Sequence, residues 1–296
     1  MPSLSTSAAE LREAFATWAA KREILPALQS NLDVVAAWVD LCAPAGASLA
    51  NRLLVCRDLG VVFFALDDYS GDDSADFFRQ CRNILDGNDA PRDETFLRAY
   101  AETVREIETR SQAGERYLQG RRELIEAYLW RDAWKRGEHK SRLPSRSEYL
   151  ERRRTTIFTR QWIDVWEIVE GCTLSRPERE LQPLRDATSV LVDWQIFENE
   201  VVSLERDLAS GDLNLISLMR DEDGVSLLAA KQKVSTERDV LGVQFEDSLQ
   251  HLRASASASQ NLQRYLQILE SSFRGAIAIY GIELGRYTVE DWPARA

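Results

Sequence analysis

LRDATSVLVDWQIFENEVVSLERDL, residues 184–208, reads as one helix, and the rest of the chain is read outward from it. Val192 and Ile196 stand on a stripe that runs on through Asn199, Ser203 and Asp207. The last three lie at i, i+4 and i+8, which stacks an amide oxygen, a hydroxyl and a carboxylate on one helical face. Because the stripe behind them is apolar, the trio continues a buried face. Burying three such groups together demands partners, since each unsatisfied polar group costs roughly 2–7 kcal/mol. A structural hydrogen-bond network meets that demand, and so does a cation held by oxygen ligands.

Helical spacing recurs along the whole chain, with only 14 Gly and 8 Pro among 296 residues and little of the alternation that marks strands. The fold class is all-α. Helices are predicted over about Ser7–Arg22, Pro26–Cys42, Ala47–Asp68, Ala75–Leu85, Asp93–Arg110, Glu115–Arg136, Arg146–Gly171, Leu184–Leu208, Ser226–Ser248 and Leu262–Leu284. The polar stretch RGEHKSRLPSRS, residues 136–147, reads as a surface loop between two helices, so 1–296 is taken as a single domain.

With 37 Lys and Arg against 48 Asp and Glu, the formal charge is −11, a poor match for a phosphate backbone, and no nucleic acid partner is expected. Cys42, Cys56, Cys81 and Cys172 are scattered and only two histidines accompany them, which argues against zinc and for buried, reduced thiols. No signal peptide is visible, and the best apolar run, Leu53–Leu66, is broken by Arg57 and Asp58; no membrane span and a cytoplasmic protein are expected.

A second polar cluster lies at the C-terminal end of the predicted helix Ala47–Asp68, where Asp67, Asp68, Asp72 and Asp73 (LDDYSGDD) meet the unfavourable end of the helix dipole. These carboxylates either fray into water or bind a cation such as Mg²⁺, which takes oxygen ligands. Basic residues suited to phosphate oxygens follow: Arg152, Arg153 and Arg154 on the helix from Arg146, and Arg286 before Tyr287. A triple arginine is also what a solvated helix face looks like, and that reading holds for at least one of the three.

Taken together, these segments resemble the class I terpene synthases, in particular the compact single-domain bacterial type. LDDYSGDD looks like that family's aspartate-rich motif and NEVVSLERD like its Asn-x-x-x-Ser-x-x-x-Glu metal motif. YLERRRTTIF looks like its diphosphate-sensing helix and Arg286-Tyr287 like its C-terminal pair. Order and spacing agree, with Arg153 46 residues before Asn199 and Arg286 87 after it. The resemblance implies a helical bundle around a central active-site cavity and three Mg²⁺ ions, held by Asp67, with Asp68 and Asp72 as further candidates, and by Asn199, Ser203 and Asp207. It implies that Arg153, Arg206, Arg286 and Tyr287 bind the substrate diphosphate, that Ile157 lies beside the ionising carbon, and that Phe63, Phe64, Trp162 and Tyr280 line the hydrocarbon cavity. Departures from the family pattern are Asp207 for Glu, Arg206 for Lys, Glu200 for Asp, and a third residue between Asp68 and Asp72.

The implied activity is ionisation of an isoprenoid diphosphate and cyclisation of the carbocation to a terpene hydrocarbon or alcohol, a carbon–oxygen lyase reaction. Farnesyl diphosphate is placed ahead of geranylgeranyl or bicyclic C20 diphosphates. The competing readings are a non-catalytic diphosphate-binding helical protein and a prenyl chain-elongating synthase; the latter needs a second aspartate-rich motif where this chain has NEVVSLERD. A homodimer is left open. Residues 209–224 (ASGDLNLISLMRDEDG) and the tail around Trp292 are the expected lid segments.

Overall fold

The computed structural model describes residues 5–64, 74–135, 143–255 and 259–281. Helices account for the regular structure among them, in the order α1 (Thr6–Ala20), α2 (Leu32–Cys42), α3 (Leu49–Arg57), α4 (Ser74–Leu85), α5 (Thr95–Glu108), α6 (Gly114–Lys135), α7 (Arg146–Thr156), α8 (Thr159–Val169), α9 (Gln182–Ser210), α10 (Leu215–Asp223), α11 (Leu227–Ser255) and α12 (Gln260–Tyr280). The all-α expectation is met. Single helical turns at Leu25–Leu28 and Arg176–Arg179 lie between them.

Two apolar cores organise the helices. The larger is built around Leu11, Val35, Val55, Tyr100, Tyr128, Trp166 and Leu269, from both halves of the chain. The smaller gathers Tyr149, Val192, Ile196, Phe197, Leu204, Leu215, Ile216, Met219 and Val234, and so packs α9 against α7, α10 and α11. The stripe read from the sequence is therefore an inward face: Val192, Ile196, Asn199, Ser203 and Asp207 are all buried. All four cysteines are buried and unpaired.

Three local departures from the predicted helices bear on function. The helix expected over Ala47–Asp68 is α-helical only to Arg57 and continues as a π-helix over Asp58–Phe64; such wide turns are rare and cluster at functional sites. The helix expected over Arg146–Gly171 is broken at Phe158, which takes φ 70° and separates α7 from α8. A left-handed conformation at a bulky residue costs about 1–3 kcal/mol and persists only when its surroundings hold it. The preceding Thr155-Thr156-Ile157 run is weak in helix propensity and eases the break. Residues 209–224, expected as a lid segment outside the predicted helices, contain α10, whose Leu215, Ile216, Leu218 and Met219 are buried. Asn214 caps it by accepting from the Ile216 N–H at 2.9 Å, and Gly211 and Gly224 end α9 and α10 in the left-handed conformation.

Gly275 lets α12 approach α2 backbone to backbone. A Cβ there would stand 2.5 Å from Cys42 Sγ and 2.6 Å from both Cys42 Cα and the Leu41 carbonyl oxygen. Gly275→Ala is expected to lower stability in urea unfolding by about 1–3 kcal/mol. Gly242→Ala on α11, whose new Cβ meets nothing nearer than Trp194 Nε1 at 3.4 Å, should be neutral or stabilising by up to about 1 kcal/mol from helix propensity.

Candidate active site

The site is assembled from three helix ends and begins with a capping box. Ser145 accepts from the Glu148 N–H while Glu148 accepts from the Ser145 N–H at 2.8 Å, fixing the start of α7. Two turns on, the three arginines diverge. Arg154 pairs with Asp193 at the surface and Arg152 lies over the Trp130 ring at 5.8 Å, whereas Arg153 turns inward. Arg153 Nε donates to Glu200 Oε1 at 2.7 Å and Nη2 donates to Asn199 Oδ1 at 2.5 Å. One sensor candidate is thus separated from its neighbours by geometry.

Glu200 is absent from the site residues that the sequence motifs mark, yet it is the anchor. Its carboxylate is 1% exposed and accepts from Tyr149 Oη at 3.0 Å, from Arg153 Nε, and from the Leu215 backbone N–H at 2.8 Å. Burial pushes its carboxyl upward, and the Arg153 charge opposes that. Burial likewise pushes the Tyr149 phenol up, so it remains a donor. Three helices, α7, α9 and α10, thereby meet on one carboxylate. Its signal in the sequence is its adjacency to Asn199; its partners lie 51, 47 and 15 residues away, out of reach of any local pattern.

The oxygen stripe of α9 is equally well supplied. Ser203 Oγ donates to Asp207 Oδ2 at 2.6 Å, and Asn214 Nδ2 donates to the same oxygen at 2.9 Å. Arg206 spans Asp207 Oδ1 with Nε at 3.1 Å and Nη2 at 2.8 Å. Asn199 Nδ2 donates to Tyr280 Oη at 3.0 Å, as does Gln195 Nε2, which orients the amide so that Oδ1 faces Arg153. This trio suits a hard cation: three oxygen donors, one of them anionic, on one helix face and buried. In the described arrangement the guanidiniums of Arg153 and Arg206 hold the oxygens that a metal ion would take.

Trp162 is in the core, 5% exposed, stacked edge-on against Trp166 at 5.8 Å and donating from Nε1 to Ser272 Oγ at 3.1 Å. Tyr280 is half-buried, with its ring edge-on to Trp38 at 5.4 Å. Ile157 caps α7 at the break before Phe158. Phe63 and Phe64 close the π-helix by their backbone; their side chains, and Asp67, Asp68, Asp72, Arg286 and Tyr287 entirely, lie outside the described residues. Among the described residues no helix is long and apolar enough to cross a membrane.

A family model described as terpene synthase family 2, C-terminal metal binding, matches residues 58–239. Pristinol synthase of Streptomyces pristinaespiralis is 28% identical over 255 residues, which cover 79% of this chain; the chain spans 60% of the length of that curated relative. Among solved structures, the linalool/nerolidol synthase of Streptomyces clavuligerus aligns with a TM-score of 0.77 and 20% identity, covering 92% of this chain and 95% of that one. The 2-methylisoborneol synthase of Streptomyces coelicolor, solved with Mg²⁺ and 2-fluoroneryl diphosphate, aligns with a TM-score of 0.81 and 18% identity, covering 98% and 96%. At these identities the structures report on the fold.

Glu200→Ala leaves Arg153 without its buried counter-charge and should cost about 3–5 kcal/mol in urea unfolding. Tyr149→Phe removes one neutral donor and keeps the ion pair, so about 1 kcal/mol is expected.

Proposed function

The chain belongs to terpene synthase family 2, and from that premise we propose that it is a Mg²⁺-dependent class I terpene synthase that ionises an isoprenoid diphosphate and cyclises the resulting carbocation. Farnesyl diphosphate is the first substrate to test, ahead of geranylgeranyl and bicyclic C20 diphosphates. The observation that carries the reading is the juxtaposition of Arg153 with the buried stripe Asn199, Ser203 and Asp207. It brings a guanidinium and a set of oxygen ligands to one place, which is what a departing diphosphate requires.

Bound Mg²⁺ would supply concentrated positive charge to the leaving diphosphate oxygens. The chain's own residues do the rest. Asn199, Ser203 and Asp207 would hold one ion, and Asp67, with Asp68 or Asp72, would hold the others. Arg153 and Arg206, released from Asn199 and Asp207, would turn their planar donor forks to diphosphate oxygens, joined by Arg286 and Tyr287. Tyr280 and Gln195 keep the Asn199 amide oriented through its Nδ2 while Oδ1 changes partners. An allylic cation left behind is quenched by any water, so its surroundings must be apolar and aromatic. Phe63, Phe64, Trp162 and Tyr280 are the candidates for that lining, and Ile157 for the position nearest the ionising carbon.

Purified protein incubated with Mg²⁺ and, separately, C10, C15, C20 and bicyclic C20 diphosphates should give a cyclic hydrocarbon or alcohol from one of them, read by gas chromatography and mass spectrometry. Asn199→Ala and Ser203→Ala should lower turnover by about 100-fold or more with the fold intact by circular dichroism. Chelation should abolish activity and added Mg²⁺ restore it. Tight binding of Mg²⁺ and diphosphate without any product would instead mark a binding protein on this fold.

A further inference from the structure

Arg121 is buried to 1% exposure on α6, and hydrogen bonding does not explain its shape. Nη2 donates to Asp58 Oδ2 at 2.5 Å, while Nε and Nη1 are buried with no hydrogen-bond partner among the described residues. Its contacts with aromatic rings are the part in use. The guanidinium carbon stands 4.6 Å from the centroid of the Tyr117 ring and 4.5 Å from that of Phe158, so the group packs against both rings. Asp58 in turn is fixed by Tyr117, whose hydroxyl donates to Oδ1 at 2.8 Å.

The two ends of this contact are both unusual backbone. Asp58 is the first residue of the π-helix that runs to Phe64, and Phe158 is the left-handed break between α7 and α8. Arg153 lies five residues before that break and Trp162 four after it, with the Trp162 N–H donating to the Phe158 carbonyl at 2.8 Å. A buried ion pair is weak evidence for stability, because apolar residues of equal volume often replace it without loss. What an Arg–Asp pair supplies here is a rigid cation at a fixed place, in contact with the ring of a residue whose backbone is strained.

We propose that Arg121, held by Asp58, is a positioning residue that keeps Phe158 in its left-handed conformation and so sets the angle at which α7 presents Arg153 and Ile157 to the active site. The inference rests on the terpene synthase reading for its catalytic consequence and on the geometry alone for its structural one. If Phe158 were no longer held in the left-handed region, the junction of α7 and α8 would lose its fixed, hydrogen-bonded geometry, and Arg153 would no longer be held facing Asn199 and Glu200. Glycine adopts a φ near +70° without steric cost, so the substitution Phe158→Gly makes the contact dispensable.

The test is a cycle of four proteins: the wild type, Asp58→Asn/Arg121→Met, Phe158→Gly, and all three substitutions together. Hydrogen exchange of the amides of residues 157–162 reads the break, and kcat, KM and the cyclic share of product read its effect. Replacing the pair in the wild-type background should raise exchange there about tenfold and lower kcat about tenfold or more, with KM within about threefold and more acyclic alcohol. In the Phe158→Gly background the same replacement should change each by less than about threefold. Arg121→Lys keeps a counter-charge for Asp58, and hence the fold, but offers no flat face; it should reproduce the exchange increase. Equal losses in both backgrounds, or unchanged exchange when the pair is replaced, would overturn the proposal. Should no diphosphate be turned over by the wild type, the terpene synthase reading fails, and the exchange data alone then decide the role of Arg121.

Discussion

A carboxylate that water does not reach holds the site together. Glu200 carries its charge into the junction of α7, α9 and α10, and the two facing helices answer with donors: Tyr149 and Arg153 from α7, the Leu215 N–H from α10. In such surroundings a charge persists only when paired and hydrogen-bonded. The consequence is directional. Arg153 is drawn to the inner side of α7 by Glu200 Oε1, which leaves its outer Nη2 facing Asn199, whereas Arg152 and Arg154 remain on the surface. Glu200 thus decides which arginine of the three faces the oxygen stripe of α9.

Much of this is legible in the residues themselves because it is local. Helical periodicity marks the helices, and the i, i+4, i+8 stripe places Asn199, Ser203 and Asp207 on a buried face, since apolar and polar positions repeat with the same turn. The helix break at Phe158 leaves no such mark. Neither glycine nor proline stands there, and the residue that stabilises the break, Arg121, is 37 positions earlier. Helix α10 escapes sequence reading for the opposite reason: its apolar residues are few and its surroundings rich in Asp and Gly, so composition outweighs the short period that Asn214 caps. Glu200 is passed over because its neighbours in space, at positions 149, 153 and 215, are not its neighbours in sequence.

Asp207 shows how the stripe is held ready. It lies in the last turn of α9, where the helix dipole disfavours a negative charge. Among the described residues the Ser203 hydroxyl, the Asn214 amide and the Arg206 fork compensate. The first two come from buried, well-packed positions and cannot leave without disturbing α9 or the cap of α10. Arg206 is different. It is the residue before Asp207 on a helix, and its side chain is partly exposed. Of these compensating groups, the partly exposed one is therefore the one that carries charge.

That asymmetry gives the departure from the family pattern a physical meaning. Aspartate at 207 is one methylene shorter than the glutamate usual in the resembling motif, so its carboxylate stays close to its own helix, within reach of Ser203 and Asn214. Arginine at 206 in place of lysine then covers the remaining oxygen with two donors at once, which an ammonium cannot do in the same fixed geometry. The two substitutions fit each other: the shorter acid needs less space, and the wider base spans what remains. Under the proposed function, a cation held by Asp207 would compete with this fork, and Arg206 would then be the residue to turn its donors to a diphosphate. The charge that stabilises the stripe in the described arrangement would, on that reading, also serve the leaving group.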